Sequence, residues 1–275
     1  MAEDPPVNAS SLFDLTGRIA LVTGGGSGIG FYICRALVAN GAIVYTSSRK
    51  GDVLGKVADE LTKMGPGKCI AIAGDLTSKK ACDDLAAELR KHTKKLDILV
   101  NNAGMTWGAP MESFPENRWH DVFSLNVYTP YYLTVACLDM LKAANRGPYD
   151  PPRVVMIGSV AGITQNENMN NPSYAASKAA IHHLTKVMAA MLGPKGITVN
   201  CIAPGVFPSR MARFYTDNSE MRDATVSQIP LGRLGTPADI AGLILFMTSR
   251  GGAYLNGTVI PYDGGHSLAS KNLKL

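Results

Sequence analysis

The 275-residue chain contains no Cys-x-x-Cys pair and no His-Glu-x-x-His helix motif. Its five cysteines, Cys34, Cys69, Cys82, Cys137 and Cys201, are odd in number and widely spaced. That pattern argues for free thiols in a reducing compartment and against a disulfide framework or a zinc site. The histidines, His92, His120, His182, His183 and His266, read as solvent or core residues. His182 and His183 are adjacent, so on a helix they point about 100° apart and share a metal poorly. No metal is expected. No apolar run approaches the ~20 residues of a membrane helix, so no membrane association is expected. Charged residues make up only 18% and hydrophobic ones 46%, which excludes a disordered chain. The formal charge is +5, but Lys and Arg never form a run of five, so no nucleic-acid partner is expected. The 28 glycines follow no G-X-Y period, which excludes collagen. Residues 1–11 are acidic and contain proline, with no apolar core for a secretory signal; a short disordered arm is expected there. The last three residues, Leu273-Lys274-Leu275, are similar to a peroxisomal Ser-Lys-Leu address without its serine, so a cytoplasmic location is expected ahead of a peroxisomal one.

What the chain does have is a regular alternation of short apolar runs and amphipathic stretches. Strands are expected at 18–23, 42–46, 68–73, 96–100, 153–159, 197–202 and 258–261. Helices are expected at 31–39, 52–64, 79–91, 115–144, 173–192, 208–227 and 237–249. Wholly apolar strands alternating with helices imply an α/β fold, a parallel sheet covered on both faces. There is no linker and no repeat, so residues 12–275 read as one domain. The run Gln165–Asn171 is polar and cannot pack a core.

Gly24, Gly28 and Gly30 follow the first strand and open a helix. Residues without Cβ let the backbone turn tightly and approach a pyrophosphate, and the helix N-terminus offers free N–H groups. The second strand ends in Ser48-Arg49-Lys50, with a hydroxyl and two cations where an acidic residue would bond the ribose of NAD. Cations there suit a 2′-phosphate, so NADP(H) is the expected cofactor. Tyr174 and Lys178 stand four apart on an expected helix and so share a face. A neighbouring ammonium is expected to lower the phenol's pKa. Ser159 stands at the end of the preceding strand, where such sheets present their ligands.

The spacing Thr-Gly-x-x-x-Gly-x-Gly from Thr23 to Gly30 resembles the short-chain dehydrogenase/reductase family. Four further motifs resemble it in order: Asp75-Leu76, Asn101-Asn102-Ala103-Gly104, Ser159 with Tyr174-x-x-x-Lys178, and Pro204-Gly205. The resemblance runs from about Leu12 to the C-terminus and implies a single-domain Rossmann fold, a doubly wound seven-stranded parallel sheet. It implies that Gly24, Ser27, Gly28, Ile29 and Gly30 hold the pyrophosphate, and that Ser48, Arg49 and Lys50 meet the 2′-phosphate. Asp75 and Leu76 would meet the adenine, and Asn102, Ala103 and Gly104 the adenosine ribose side. Pro204, Gly205, Phe207 and Ser209 would meet the carboxamide, with Phe207 equally readable as core. The catalytic group implied is Asn126 on a water relay, Ser159 on the substrate oxygen, Tyr174 as proton donor, and Lys178 on Tyr174 and the nicotinamide ribose. Ser159 and Tyr174 are 15 residues apart where the family usually has 13, and the excess falls in 165–171, expected to line the substrate entrance.

Met105, Trp107, Met211, Phe214 and Tyr215 are apolar candidates for the substrate pocket, although such residues at helical spacing are more often core. The stretches 101–109, 158–163 and 207–211 are similar to NADPH-dependent β-ketoacyl reductases of the bacterial rhamnolipid type and their fungal homologues. That similarity implies reduction of a ketone, with an acyl thioester on a carrier as one substrate class; a sugar, polyol or secondary-metabolite ketone is the alternative, and a non-catalytic cofactor sensor or scaffold the third. Arg210, Arg213 and Arg222 are basic candidates for meeting an acidic carrier. The family resemblance also implies a homotetramer, built on the two long helices through Tyr131, Tyr132, Val135 and Leu138 and through Ile181, Leu184, Val187 and Met188.

Overall fold

The computed structural model describes residues 7–164 and 170–269. Seven strands, β1 (Ile19–Thr23), β2 (Ile43–Ser48), β3 (Lys68–Ala73), β4 (Ile98–Asn101), β5 (Arg153–Ile157), β6 (Thr198–Pro204) and β7 (Val259–Tyr262), form one sheet in the order β3-β2-β1-β4-β5-β6-β7. Every pairing is parallel. The helices are α1 (Ala9–Leu12), α2 (Gly28–Ala39), α3 (Gly51–Lys63), α4 (Lys79–His92), α5 (Glu116–Phe123), α6 (Thr129–Ala136), α7 (Leu138–Ala143), α8 (Pro172–Leu192), α9 (Arg213–Thr216), α10 (Ser219–Val226) and α11 (Pro237–Thr248). One core lies between the sheet and α4, α6 and α8; the other lies between the sheet and α2, α3 and α11. Strands buried on both faces carry no polar alternation: β4, β5 and β6 are buried throughout. The strand order reverses between β1 and β4, and there the carboxyl ends leave the crevice in which such sheets bind ligands.

The single helix expected over 115–144 is instead broken. A π-helical turn over Ser124–Tyr128 joins α5 to α6, and Cys137 separates α6 from α7. Pro130 has no N–H and stands four residues after Asn126, so the Asn126 carbonyl loses its α-helical donor. Asn126 is also drawn sideways, because its amide bonds three groups outside its own helix. The helix expected over 208–227 is likewise two short ones; Asn218 caps α10 by accepting from Met221 N. β5 ends at Ile157, so Ser159 lies beyond the strand, where its hydroxyl accepts from Ala161 N. Within the N-terminal stretch expected to be disordered, residues 9–12 form the short α1, capped by Asn8, whose side chain accepts from Ser11 N.

Candidate active site

The glycine turn is held from beneath by side chains of its own sheet. Thr23 Oγ1 accepts from Asn102 N at 3.0 Å and from Ala103 N at 2.9 Å. Asn102 Nδ2 donates to Thr23 O at 2.8 Å and to Gly24 O at 3.3 Å. Asn102 therefore spends its amide nitrogen and its backbone N–H on fixing the turn. A Cβ on Gly30 would lie 2.4 Å from both Asn102 Nδ2 and Gly24 O. Gly28 has φ +57°, and a Cβ there would lie 2.8 Å from Ser209 Cβ. Ser27 stands at the N-cap of α2 without a side-chain cap on the helix. Its hydroxyl instead accepts from Arg210 Nε at 3.1 Å, a cation at the phosphate loop that the sequence reading assigned only to a carrier.

The Ser48 hydroxyl faces Gly26, 3.8 Å from where a Cβ would stand, and Arg49 and Lys50 are exposed beside it. Asp75 is exposed on the rim of a groove of about 600 Å³ between β3 and α4. Leu76 is buried in the core and its carbonyl accepts from Thr129 Oγ1, so only its N–H is free to meet a ligand. Phe207 is core: its ring is buried, stacks on Tyr262 and packs on Gly235, which leaves only backbone toward the cleft. Ser209 Oγ accepts from Ala212 N at 3.2 Å. Tyr32 of α2 donates to Pro208 O at 2.9 Å, tying this segment to the glycine turn. The cradle fits a dinucleotide diphosphate: glycines where side chains would clash, an uncapped helix start, and cations at the end of β2.

The second cluster sets half-buried Ser159 and Tyr174 among buried Asn126, Ser177 and Lys178. Lys178 Nζ lies 5.5 Å from the Tyr174 ring centroid and donates to Ile157 O at 2.7 Å. Burial pushes Lys178 down to about 8. Burial also pushes the Tyr174 phenol above its ordinary value, and a hydrogen bond with Ser159 works against that. This corrects the expectation of a lowered phenol: desolvation outweighs the Ser159 hydrogen bond, and Tyr174 is set to hold its proton. Asn126 Nδ2 donates to Met105 O at 2.9 Å and to Ser177 Oγ at 3.0 Å, and Oδ1 accepts from Met105 N at 2.9 Å. With its side chain fully committed, Asn126 has only the carbonyl freed by Pro130 to offer a water. Gly104 sits where a Cβ would be 3.2 Å from Asn126 Oδ1 and 3.8 Å from Lys178 Nζ, so the two clusters meet there.

The loop end at Asn170 and Asn171 is tied to the other wall: Ala109 N donates to Asn170 O at 2.8 Å. Residues 165–169, which the sequence reading placed at the entrance, lie outside the described residues, as do the side chains of Phe214 and Tyr215. Trp107 is half-exposed with the Arg118 guanidinium 4.0 Å over its ring, and Met211 is exposed. Sequence reading missed Thr23, Ser177, His182 and Arg210 as participants. Among the described residues no group of three or more His, Cys, Asp or Glu could hold a metal ion, and no helix is long and apolar enough to cross a membrane.

Residues 24–267 match the family model described as "Enoyl-(Acyl carrier protein) reductase". The chain is 42% identical over 258 residues to the rhamnolipids biosynthesis 3-oxoacyl-(acyl-carrier-protein) reductase of Pseudomonas aeruginosa, covering 93% of this chain and 98% of the relative. It is 36% identical to the short-chain dehydrogenase/reductase PhomF of Diaporthe leptostromiformis, covering 95% of each. It is 33% identical to a galactitol 2-dehydrogenase (L-tagatose-forming) of Cereibacter sphaeroides, covering 94% of this chain and 98% of that one. Among solved structures, the Pseudomonas aeruginosa RhlG/NADP active-site complex superposes with a TM-score of 0.89 at 41% identity, over 94% of this chain and 99% of that one. The chain belongs to the short-chain dehydrogenase/reductase family.

Proposed function

We propose that this chain is an NADP(H)-dependent reductase acting on a ketone carbonyl, with a 3-oxoacyl thioester as the favoured substrate class. The observation that carries the reading is the pairing of the cationic Ser48-Arg49-Lys50 corner with the half-buried Ser159 and Tyr174 and the buried Lys178 at the carboxyl ends of one sheet. When bound, the cofactor supplies the hydride. Gly24, Ser27, Gly28, Ile29 and Gly30 hold its diphosphate, joined by Arg210, and Arg49 and Lys50 select the 2′-phosphate. The backbones of Leu76, Ala103, Gly104, Pro204, Gly205 and Phe207, with the side chains of Asp75 and Ser209, line the rest of the dinucleotide path. Ser159 donates to the substrate oxygen and fixes its place. Tyr174, its phenol held protonated by burial, delivers the proton to that oxygen. Lys178 orients the nicotinamide ribose and supports the phenolate left behind. The freed Asn126 carbonyl holds the water through which Tyr174 is reprotonated.

Two relatives support different substrates, a 3-oxoacyl-(acyl-carrier-protein) reductase and a galactitol dehydrogenase. Arg213 and Arg222 favour a carrier only weakly, since each lies beside its own carboxylate, Asp217 and Asp223. The exposed Tyr131, Val135 and Val187 support a homotetramer packed through α6 and α8, whereas Ile181 and Met188, expected at that surface, serve the core instead. The five described cysteines are free and buried, which supports a cytoplasmic location. The test follows NADPH and NADH consumption with a 3-oxoacyl thioester, a diketone, a keto-sugar and an aryl ketone, for wild type and Tyr174→Phe. Tyr174-dependent consumption of NADPH with the thioester fastest is the expected result. A fastest keto-sugar would move the substrate to the polyol class, and cofactor binding without turnover of any ketone would overturn the reductase reading.

A further inference from the structure

Two side chains of α8, one turn apart, grip the backbone that follows β5. Lys178 Nζ donates to Ile157 O. His182 Nε2 accepts from Ser159 N at 3.4 Å, at the long end of the hydrogen-bond range. Gly158 between them has no side chain, and a Cβ there would lie 2.3 Å from His182 Nε2 and 2.9 Å from Cys201 Sγ. The missing Cβ is what admits the imidazole to the backbone. The ring is 8% exposed. The groups that face it are Lys178 and Lys186 on its own helix, Cys201 from β6, and the Gly162 backbone from the turn after Ser159. Burial and then Lys178 push its pKa down to about 4, so the ring is neutral at pH 7. Since Nε2 accepts, the ring proton sits on Nδ1.

Ser159 is thereby fixed at three points. Its N–H is taken by His182, its carbonyl accepts from Gly162 N at 3.0 Å, and its Oγ accepts from Ala161 N at 3.1 Å. What remains is the hydroxyl proton, on the side that meets the Tyr174 phenol. We propose that His182 is a positioning residue for Ser159: its neutral imidazole anchors the Ser159 amide so that the hydroxyl is left with one task, donation to the substrate oxygen. Without that acceptor the Ser159 N–H loses its partner, and the turn that aims the hydroxyl loses its tie to α8. The proposal rests on the reading of Ser159 as the donor to substrate.

The test compares His182→Leu, which fills the space without accepting, with His182→Gln, whose side-chain oxygen reaches toward the place of Nε2. Amide hydrogen exchange at Ser159, read without substrate, is expected to quicken roughly 10-fold or more in His182→Leu and to return toward wild type in His182→Gln. With the ketone of highest Tyr174-dependent turnover, kcat is expected to fall roughly 10- to 100-fold in His182→Leu with NADPH affinity unchanged, and to recover in His182→Gln. In a Ser159→Ala background, His182→Leu is expected to add less than about 2-fold, because both act through one group. Unchanged exchange in His182→Leu, equal losses in the Leu and Gln variants, or full multiplication with Ser159→Ala would overturn the proposal. If Ser159→Ala alone leaves kcat intact, the assignment of Ser159 fails, and the exchange result still shows whether His182 anchors that amide.

Discussion

Between β1 and α2 the site is made by absent side chains, whereas between β5 and α8 it is made of buried ones. In the first region, Gly28 and Gly30 clear space that Ser209, Asn102 and Gly24 border. The selecting charges, Arg49 and Lys50, stand in solvent. In the second, Lys178, His182, Asn126 and Ser177 are all buried and each is tied by hydrogen bonds to backbone or to one another. A binding site for a large anion needs open N–H groups and loose, solvated cations. A proton-transfer site needs groups whose pKa values are moved by desolvation and whose positions are fixed. The difference predicts that changes in the glycine half act on affinity and cofactor choice, and changes in the α8 half act on turnover.

The largest effect is expected in the buried half. Tyr174→Phe removes the proton donor while leaving the ring, so kcat should fall roughly 10²- to 10⁴-fold with NADPH binding intact by fluorescence titration. Loss of binding instead would erase the division between the halves. Next is a pH effect. The folded pKa of His182, about 4, lies below its ordinary 6.5, so the unfolded chain binds the proton more readily between those values. Stability from this group is intact above pH 6.5 and lost as pH falls toward 4; the loss is about 3 kcal/mol. Denaturant unfolding at pH 7 and pH 4 should show wild type losing more than His182→Gln by about that amount.

In the glycine half, Arg49→Asp should reduce the preference for NADPH over NADH about 100-fold, as expected for losing a charge-assisted contact and adding repulsion. The ratio of kcat/KM for the two cofactors reads it, and an unchanged ratio removes Arg49 from the 2′-phosphate site. Smallest is Gly30→Ala. The new methyl must displace Asn102 or the Gly24 carbonyl, at about 2 kcal/mol of overpacking. Thermal unfolding should show the destabilisation, and NADPH titration a weakened affinity with kcat at saturation nearly kept.

The alternation of strands and helices was legible because each strand is a continuous apolar run, and the glycine turn because only glycine fits there. The Tyr174–Lys178 pair was legible because four residues is one helical turn. The broken helix was not. Pro130 was in view, but its consequence depends on which carbonyl it deprives, and Asn126 leaves the regular helix because Met105 and Ser177 lie across space. His182 reads as a solvent or core residue in the sequence because nothing in α8 says that Gly158, on another element, makes room for its ring. The lowered phenol expected from Lys178 failed for a similar reason: charge proximity is visible in a sequence, and desolvation is not.

The most direct measurement uses NADPH carrying deuterium on the nicotinamide carbon that holds the hydride, incubated with the best ketone of the panel. Wild type should yield an alcohol with one deuterium on the carbinol carbon, and Tyr174→Phe should bind the same cofactor yet form almost none. Bound NADPH with no deuterium reaching any ketone in the wild-type protein would contradict the assignment of this site as a ketone reductase.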